Sequence, residues 1–328
     1  MLERENLYTF LENLSKELGF ADFGVAKVQQ VSNEVQQNYT NMLQQGNFAD
    51  LQYLSKNIDK RFNPNLLVEG ARSILVFLAP YSSNKMYLKN SIKIAQYAFG
   101  KDYHKVIKDK LFFIMQELKK IEPLFNGRAF TDSAPVLERE WGVKAGLGFI
   151  GKNNFLISKK VGIKNFIGVI ISNLELPTTL DMYPDRIQLI NGKKFCGNCT
   201  KCLDACKSKA LYQPYKLNAK KCISYLTIEN KNLKHQVANK EDIPDFNGWC
   251  FGCDDCLNAC PWNNKNIEGW EEFRCNEEII LSGRREWWEN LQEEEFCAIF
   301  KDSPILRGGL ENIKMAIEWQ KIKENGEF

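Results

Sequence analysis

Hydrophobic residues at the start of the chain recur at the spacing of an amphipathic helix. Leu7, Leu11, Leu14 and Leu18 lie three or four positions apart, so they share one face of a helix. The pattern stops at Gly19, a residue type that commonly ends helices. We therefore predict an N-terminal helix, followed by a strand in the segment FGVAKV.

Two further apolar windows predict buried strands. SILVFLAPY, residues 73–81, is short and partly β-branched, and residues 153–176 form two apolar runs joined at a turn of lysine and glycine. Between these windows, residues 105–121 carry the spacing of a helix. Helices and strands thus mix over residues 1–185, which predicts one α+β domain.

The pattern changes in residues 186–265, where turns and cysteines replace long apolar periods. Such a composition is expected where bound metal substitutes for a hydrophobic core. Residues 266–328 return to helical spacing, in REWWENLQEEEFCAIF and again in LRGGLENIKMAIEWQKI. No low-complexity linker separates the three regions, so we expect them to pack tightly.

Composition and charge place few limits on function. The chain has 328 residues, 44% of them hydrophobic, which suits an ordinary globular protein of two or three domains. The net charge of +3 does not by itself indicate a nucleic-acid-binding protein. The acidic start MLERENLYTFLENL is unlike a signal peptide, and no apolar window approaches the about 20 residues of a membrane span. We expect a soluble, cytoplasmic protein.

Two cysteine runs share one spacing. CGNCTKCLDACK begins at Cys196 and CFGCDDCLNACP begins at Cys250, and each supplies three thiolates within seven residues and a fourth just beyond. Bacterial ferredoxins with two clusters use C-x2-C-x2-C-x3-C-P, which the second run matches through Pro261, whereas Lys207 replaces proline in the first. The runs predict two 4Fe-4S clusters. Paired zinc sites are the alternative, although zinc ligands usually come as two close pairs.

The assignment of the cysteines to the two clusters stays open on spacing alone. In such ferredoxins the fourth cysteine of each run crosses to the other cluster. This rule predicts one set of Cys206, Cys250, Cys253 and Cys256 and another of Cys196, Cys199, Cys202 and Cys260. Cys222 is a ninth candidate, so either Cys222 or Cys250 is spare. Cys275 and Cys297 lie in helical context, and we predict that both are buried thiols.

The segment TDSAPVLER, residues 131–139, places Asp132 after the predicted strand GRAF and before a helical pattern. A structural role is the first interpretation, because Asp or Ser caps helices and proline suits their first turn. The functional alternative is a proton donor, which requires burial to raise the pKa from about 3.9.

Several segments, taken together and in order, resemble the epoxyqueuosine reductase family. They are AQYAFGKDYHKV, TDSAPVLERE, KAGLGFIGKNNFLI, the first cysteine run, KCISYLTIE and FGCDDCLNACPWN. The resemblance covers most of the chain, from EGARSILVFLAPY to FKDSPILRGGLENIKMAI. The resemblance implies reduction of epoxyqueuosine to queuosine at the wobble position of tRNA, with cobalamin and two 4Fe-4S clusters. It implies a cobalamin-binding catalytic domain (1–185), a ferredoxin-like domain (186–265) and C-terminal HEAT-like helices (266–328). The chain departs from the family at Phe99, where an arginine is usual, and in its short C-terminal region.

The resemblance also implies roles for residues. Asp132 would be the catalytic proton donor, which then outweighs the capping interpretation. One cluster would be held by Cys206, Cys222, Cys253 and Cys256 and the other by Cys196, Cys199, Cys202 and Cys260, leaving Cys250 free. Candidates for cobalamin contacts are Arg61, Tyr97, His104, Asp132, Lys152, Asn153, Ser224 and Asp254, for which ordinary core or loop contacts are the alternative.

The basic and aromatic segment KSKALYQPYKLNAKK is the candidate for tRNA. Lysines neutralise phosphates and tyrosines stack on unpaired bases, so we predict contacts from Lys207, Lys209, Tyr212, Tyr215 and Lys216, against the alternative of a solvated basic face. The expected partners are the modified tRNA and a low-potential electron donor. We expect no association with a membrane, and we expect a monomer. Two rival functions are another corrinoid and iron-sulfur reductase, similar to reductive dehalogenases, and a non-enzymatic electron carrier.

Overall fold

The computed structural model describes residues 4–81, 92–190, 195–241, 243–263, 267–274 and 284–326. Its helices in the first half are α1 (Arg4–Glu17), α2 (Asn33–Gln44), α3 (Ile58–Phe62), α4 (Tyr103–Ile121), α5 (Glu138–Lys144), α6 (Thr179–Met182) and α7 (Ile187–Ile190). Those in the second half are α8 (Lys201–Ala205), α9 (Ile223–Ile228), α10 (Leu233–Ala238), α11 (Asp255–Asn258), α12 (Arg285–Asn290), α13 (Glu293–Phe300) and α14 (Leu310–Glu324).

The strands are β1 (Asp22–Lys27), β2 (Ser73–Pro80), β3 (Lys93–Ile94), β4 (Gly127–Phe130), β5 (Phe149–Ile150), β6 (Leu156–Ile157), β7 (Asn165–Ser172), β8 (Leu211–Gln213), β9 (Lys216–Leu217) and β10 (Trp249–Phe251). Four of them form the main sheet in the order β1-β2-β7-β4, and every neighbouring pair in it is antiparallel. Short two-stranded pairs β3-β10, β5-β6 and β8-β9 lie outside this sheet.

The central strand β2 is buried on both faces, which explains its continuous apolar sequence. Alternate side chains point to opposite faces: Leu75 and Phe77 pack with α1 and α4, whereas Val76 and Leu78 pack with Trp141 of α5. The sheet is therefore covered by helices on both sides. An antiparallel sheet covered by α1 and α4 on one face and α5 on the other confirms the α+β prediction for this region.

The elements predicted from periodicity are present with small shifts at their ends. The first helix ends at Glu17, and Gly19 follows with a positive φ of 88°, a conformation that glycine adopts without strain. The helix predicted from Lys105 begins at Tyr103 instead, because Asp102 caps it by accepting a hydrogen bond from the His104 N–H. The predicted strand GRAF is β4.

The second half of the chain shares one core between the cysteine region and the C-terminal helices. α14 packs on α9, α10 and β10, and Trp288 and Trp319 are fully buried there. Residues of the first region, such as Ile94 and Ala98, belong to the same apolar cluster. This agrees with the tight packing that we expected, while the domain boundaries stay a prediction.

One predicted burial is wrong. Cys297 lies in a helix as expected, but its side chain is exposed on the outer face of α13, where its thiol lies 3.9 Å from the Glu293 carboxylate. The buried positions of that helix are taken by Phe296 and Phe300. Cys275 lies outside the described residues. Among the helices that the structure describes, none combines the length and apolar character needed to cross a bilayer.

Candidate active site and cysteine clusters

The loop after β4 carries Asp132 in a constrained conformation. Thr131 is buried and its hydroxyl donates to the Ile167 carbonyl of β7, which ties the loop to the sheet. Asp132 follows with a positive φ of 49°, uncommon for a residue other than glycine. Its N–H donates to the Glu138 carboxylate at 2.6 Å. The loop is therefore held to β7 through the Thr131 hydroxyl and to α5 through the Asp132 N–H.

The Asp132 carboxylate is contacted by the start of α4. The Tyr103 hydroxyl donates to Oδ2 at 2.5 Å, and Nε2 of His104 lies 3.9 Å from the same oxygen. The Tyr103 ring is stacked between the rings of His104 and Phe166. Tyr103 is thus fixed in orientation by its neighbours, and it aims its hydroxyl at Asp132.

Close packing positions the start of α4. A Cβ on Gly100 would lie 2.3 Å from the Glu272 carbonyl, so only glycine fits beside that segment. The next two backbone N–H groups, of Lys101 and Asp102, donate to the carbonyls of Glu272 and Asp302. Asp102 also accepts a hydrogen bond from the His104 ring at 2.8 Å, which lowers the pKa of Asp102 against the opposing effect of its partial burial.

Glu138, rather than Asp132, is the carboxyl of this loop that is withdrawn from solvent. The Asp132 side chain is 64% exposed, so the burial that a proton donor was expected to need is not seen. Glu138 is half-buried, and burial, followed by the negative charge of Asp132, raises its pKa to about 8. Sequence reasoning missed this carboxyl, although it lies in the quoted segment TDSAPVLER.

Charged groups from several loops face the two tyrosines beside Asp132. Burial raises the pKa of Tyr53 and of Tyr97, and in both cases the carboxylates of Asp132 and Glu229 add to the rise. Arg307 opposes it, and its guanidinium pairs with Glu229 at 2.6 Å. Sequence reasoning named Tyr97 alone of these neighbours.

Arg61 is a buried cation in the same neighbourhood. Its Nη2 donates to the Tyr53 carbonyl at 3.1 Å, and its guanidinium lies over the Tyr39 ring. The Nε atom is buried without a hydrogen-bond partner, and the side chain is 7% exposed. An unpaired buried donor is costly, so it marks a place where a ligand acceptor would be favourable.

A buried polar network joins the sheet to the second cysteine run. The Lys164 amine donates to Gln96 Oε1 at 2.7 Å and to Asn258 Oδ1 at 3.0 Å. The Gln96 N–H donates to the Asp254 carboxylate at 2.7 Å. Burial lowers the pKa of Lys164 and raises that of Asp254 to about 6. Asp254 therefore lies at the junction of the first region and the cysteine loop.

The other predicted cobalamin candidates lie at the cysteine loops, at the start of α9 and beside Asp132. Lys152 donates to the carbonyls of Gly197 and Cys199, and Asn153 approaches the Cys256 carbonyl at 3.5 Å, so both hold cysteine loops. Ser224 is half-buried at the start of α9, and His104 lies beside Asp132. The structure thus brings Tyr97 and His104 toward Asp132.

Three cysteines, drawn from both runs, lie close enough to Cys202 to affect its pKa. Burial raises the pKa of Cys202 to about 11. Neighbouring thiols add to this rise, namely Cys260, Cys196 and Cys199. Cys260 belongs to the second run, so its proximity to the cysteines of the first run is set by the fold, which packs α11 against α8.

A second group forms around Cys256. Burial raises the pKa of this thiol, and Cys222 and Cys206 add to the rise, as does Asp254. Burial likewise raises the pKa of Cys253, which Cys256 and Cys222 also influence. The neighbours of Cys256 also include Cys202, so the two groups lie next to each other.

Cys250 stands apart from both groups. It is fully buried, its sulfur accepts a hydrogen bond from Gln320 of α14 at 3.2 Å, and burial raises its pKa to about 12. The groups that oppose this rise are Gln320 and Arg285. Its surroundings are those of a core thiol between β10 and the C-terminal helices.

Within the described ranges, no three side chains of His, Cys, Asp or Glu come together around a single metal ion. A 4Fe-4S cluster places its four thiolates on four separate irons, so its ligands stand further apart than those of one ion. The thiol chemistry and the two groups are compatible with such clusters.

The predicted tRNA segment forms a surface hairpin. Lys207, Lys209 and Lys216 are exposed around β8 and β9. Tyr212 is 42% exposed, and its hydroxyl accepts a hydrogen bond from Asn47. Tyr215 is half-buried, and its pKa is raised by burial and by Cys196 and Cys202, so the hairpin adjoins the first cysteine group.

Comparisons with known proteins agree with this architecture. Residues 61–133 match the family described as Epoxyqueuosine reductase QueG, DUF1730, and residues 195–263 match a 4Fe-4S double cluster binding domain. A protein named epoxyqueuosine reductase from Leadbetterella byssophila is 38% identical over 95% of this chain and 97% of its own. The one from Pseudomonas aeruginosa is 32% identical over 92% of this chain and 81% of its own.

Solved structures share the fold. A crystal structure of epoxyqueuosine reductase with an epoxyqueuosine-modified tRNA stem loop has a TM-score of 0.80 at 23% identity, over 97% of this chain and 81% of that one. The epoxyqueuosine reductase from Bacillus subtilis, described with an aspartate catalytic loop swung out of its active site, has a TM-score of 0.79 at 22% identity, over 97% and 82%.

Proposed function

Since the chain belongs to the epoxyqueuosine reductase family, we infer that it reduces epoxyqueuosine to queuosine in tRNA. The observation that carries this conclusion is the extent of the similarity, which includes both the Asp132 loop and the double cluster region in one chain. A non-enzymatic electron carrier would not need the large first domain with its polar site. The dehalogenase-like function is not favoured.

The residues present suit the cofactors that this reaction requires. The chain binds iron-sulfur clusters through its double cluster region. We assign Cys206, Cys222, Cys253 and Cys256 to one cluster and Cys196, Cys199, Cys202 and Cys260 to the other, as the family resemblance implies. In support, and in addition to burial, Cys260, Cys196 and Cys199 raise the pKa of Cys202, and Cys222 raises the pKa of both Cys253 and Cys256. Cys250 is left out because its sulfur accepts a hydrogen bond from Gln320 of α14.

We assign the cobalamin to the neighbourhood of Tyr53, Tyr97 and Asp132, where charged groups from several loops face one another. The unpartnered Nε of Arg61 and the hydroxyl of Tyr97 would be available to contact the polar groups at the edge of the cofactor. We assign further contacts to His104 and Ser224, and we assign Lys152, Asn153 and Asp254 to the boundary between the cofactor and the cluster loops. Bound cobalamin, fed with single electrons from the clusters, would supply the nucleophile for the epoxide carbon.

The chain's own residues supply and control a proton. Removing an epoxide oxygen to leave an alkene takes two electrons and two protons and releases the oxygen as water. Asp132 would donate a proton to the oxygen as the carbon-oxygen bond breaks. A substrate nucleoside lying over this exposed carboxyl would exclude water from it, and loss of water disfavours a charged carboxylate. Tyr103 would hold the carboxyl in line by its hydrogen bond to Oδ2.

The hairpin of β8 and β9 would contact the anticodon region. Lys207, Lys209 and Lys216 are exposed for phosphates, while Tyr212 and Tyr215 offer rings for bases beside the cluster region. We propose a cytoplasmic monomer that takes electrons from a low-potential donor.

The function is tested by anaerobic reconstitution with iron, sulfide and cobalamin, a low-potential reductant, and tRNA that carries epoxyqueuosine. Nucleosides from the digested tRNA are then separated and identified by mass spectrometry. Queuosine is expected in place of epoxyqueuosine, and omission of cobalamin is expected to prevent its formation. Unchanged epoxyqueuosine in the presence of bound clusters and bound cobalamin would contradict the proposal.

A further inference from the structure

We propose that Glu138 is a positioning residue, which holds the Asp132 loop in its catalytic conformation by accepting the Asp132 backbone hydrogen bond. This inference rests on the proposed function, since it concerns the proton donor of that reaction. The contact is short, at 2.6 Å from the Asp132 nitrogen to Oε1. It joins the reactive loop to a helix that is itself anchored in the core.

The conformation of Asp132 gives this hydrogen bond its importance. A non-glycine residue with a φ of 49° is in a sparsely populated region and persists only when its surroundings hold it there. The side-chain contact from Tyr103 fixes the carboxylate, but it acts beyond two rotatable bonds and cannot fix the backbone. The N–H of Asp132 is the atom through which the backbone itself is held.

Glu138 is well placed to transmit the rigidity of α5. It is the first residue of that helix, and Trp141 and Val143, three and five positions later, are buried against the sheet. Glu138 does not act on its own helix start, because its carboxylate reaches back six residues to the loop. Thr131 completes the arrangement from the other side through its bond to β7.

The electrostatic surroundings suit a carboxyl that serves as an acceptor without charge. Burial and the charge of Asp132 raise the pKa of Glu138, while the hydrogen bond from the Asp132 N–H, Arg139 and Lys108 oppose the rise without cancelling it. Lys108 also donates to the Ser133 hydroxyl at 2.9 Å, and the Tyr103 hydroxyl faces the same space. A neutral Glu138 keeps its carbonyl oxygen as an acceptor and adds no second negative charge beside Asp132.

Two substitutions separate this positioning role from a role as a proton store. Glu138→Gln keeps the length and the acceptor oxygen but holds no proton to transfer. Glu138→Asp keeps an acid but is one methylene shorter, so it loses the reach to the Asp132 N–H. Glu138→Ala removes both. Glu140→Gln is the matched control, since Glu140 lies in the same helix turn and faces Lys144 at 3.9 Å.

The variants are compared as reconstituted holoenzymes at pH 7, with kcat and KM for the modified tRNA measured separately. We expect Glu138→Gln and Glu140→Gln to stay within about threefold of the wild-type kcat. Glu138→Asp and Glu138→Ala are expected to lower kcat roughly 10-fold or more. This is the size expected when one hydrogen bond to a charged or polar partner is removed. KM and the absorbance of clusters and cobalamin should be unchanged in all four.

Hydrogen-deuterium exchange gives a readout that does not depend on activity. Amides of residues 131–137 should exchange faster in the Asp and Ala variants and at the wild-type rate in the Gln variant. Loss of kcat in Glu138→Gln as large as in Glu138→Ala, or wild-type kcat in all variants, would overturn the positioning role. A wild-type enzyme without activity would instead overturn the proposed function, and the exchange pattern would still decide whether Glu138 holds the loop.

Discussion

At the scale of single residues, Asp132 is held by partners that act on different atoms. Tyr103 contacts its carboxylate, whereas Glu138 contacts its N–H. The first contact orients the carboxyl that we propose as the proton donor, and the second holds the backbone that carries it. One of these hydrogen bonds can therefore be removed while the other is kept, so substitution can separate the two contributions.

The cysteines give a prediction at the same scale. Cys222→Ala is expected to lose about half of the bound iron, because one of two clusters loses a thiolate. Cys250→Ala is expected to keep the full amount, since the Cys250 sulfur accepts a hydrogen bond from Gln320 and is assigned to neither cluster. Iron and acid-labile sulfide per protein, with electron paramagnetic resonance of the reduced protein, measure both.

Cys297→Ala serves as the control for these variants, because the Cys297 side chain is exposed and belongs to neither group. It should retain all iron. The assignment of the ligands would be overturned if the Cys250 variant, and not the Cys222 variant, lost one cluster.

Sequence could reach some of these residues and not others. The cysteines were predicted from their spacing and Asp132 from the family resemblance, since the local pattern around Asp132 first favoured a helix cap. Glu138 was missed because nothing in TDSAPVLER indicates that its side chain turns back to the loop. The exposure of Cys297 was missed because helical context does not say which face of a helix is covered; Phe296 and Phe300 take the buried face.

At the scale of elements, the hairpin of β8 and β9 gives a prediction for tRNA binding. Replacing Lys207, Lys209 and Lys216 together with Gln should weaken binding of the modified tRNA. If all three contact phosphates, the slope of log affinity against log salt should fall by about 2 for unpaired RNA. Filter binding or fluorescence anisotropy over a range of salt concentrations measures this slope.

A second triple variant controls for the loss of net charge. Lys120, Lys234 and Lys321 lie away from the hairpin and pair with Glu117, Glu311 and Glu289. Their replacement by Gln removes the same charge and should change the slope little. Equal effects of the two triple variants would show that the hairpin is an ordinary solvated basic face.

Elements were the level at which the sequence was most informative. β2 and α4 follow directly from their apolar periods, because both pack against a large core. The start of α4 differs from the prediction because Asp102 caps the helix through the N–H of His104. The close approach at Gly100 depends instead on Glu272, which lies far along the chain. Such contacts leave no local signal.

At the scale of the whole molecule, the regions are joined by polar as well as apolar contacts. The network of Lys164, Gln96 and Asp254 links the main sheet to the second cysteine run. The C-terminal helices share their core with the cysteine region. The sequence predicted tight packing from the lack of a linker, but it could not predict this network, since its members lie far apart along the chain.

The most direct test of the account is the single-turnover rate of Asp132→Asn with clusters and cobalamin bound and already reduced, so that electron delivery does not limit the rate. Asparagine tolerates the left-handed backbone and can still accept the Tyr103 hydrogen bond, but it cannot donate a carboxylic proton. We predict normal cofactor content and tRNA binding with queuosine formation slowed by at least about 100-fold. Formation at the wild-type rate would contradict the assignment of Asp132 as proton donor.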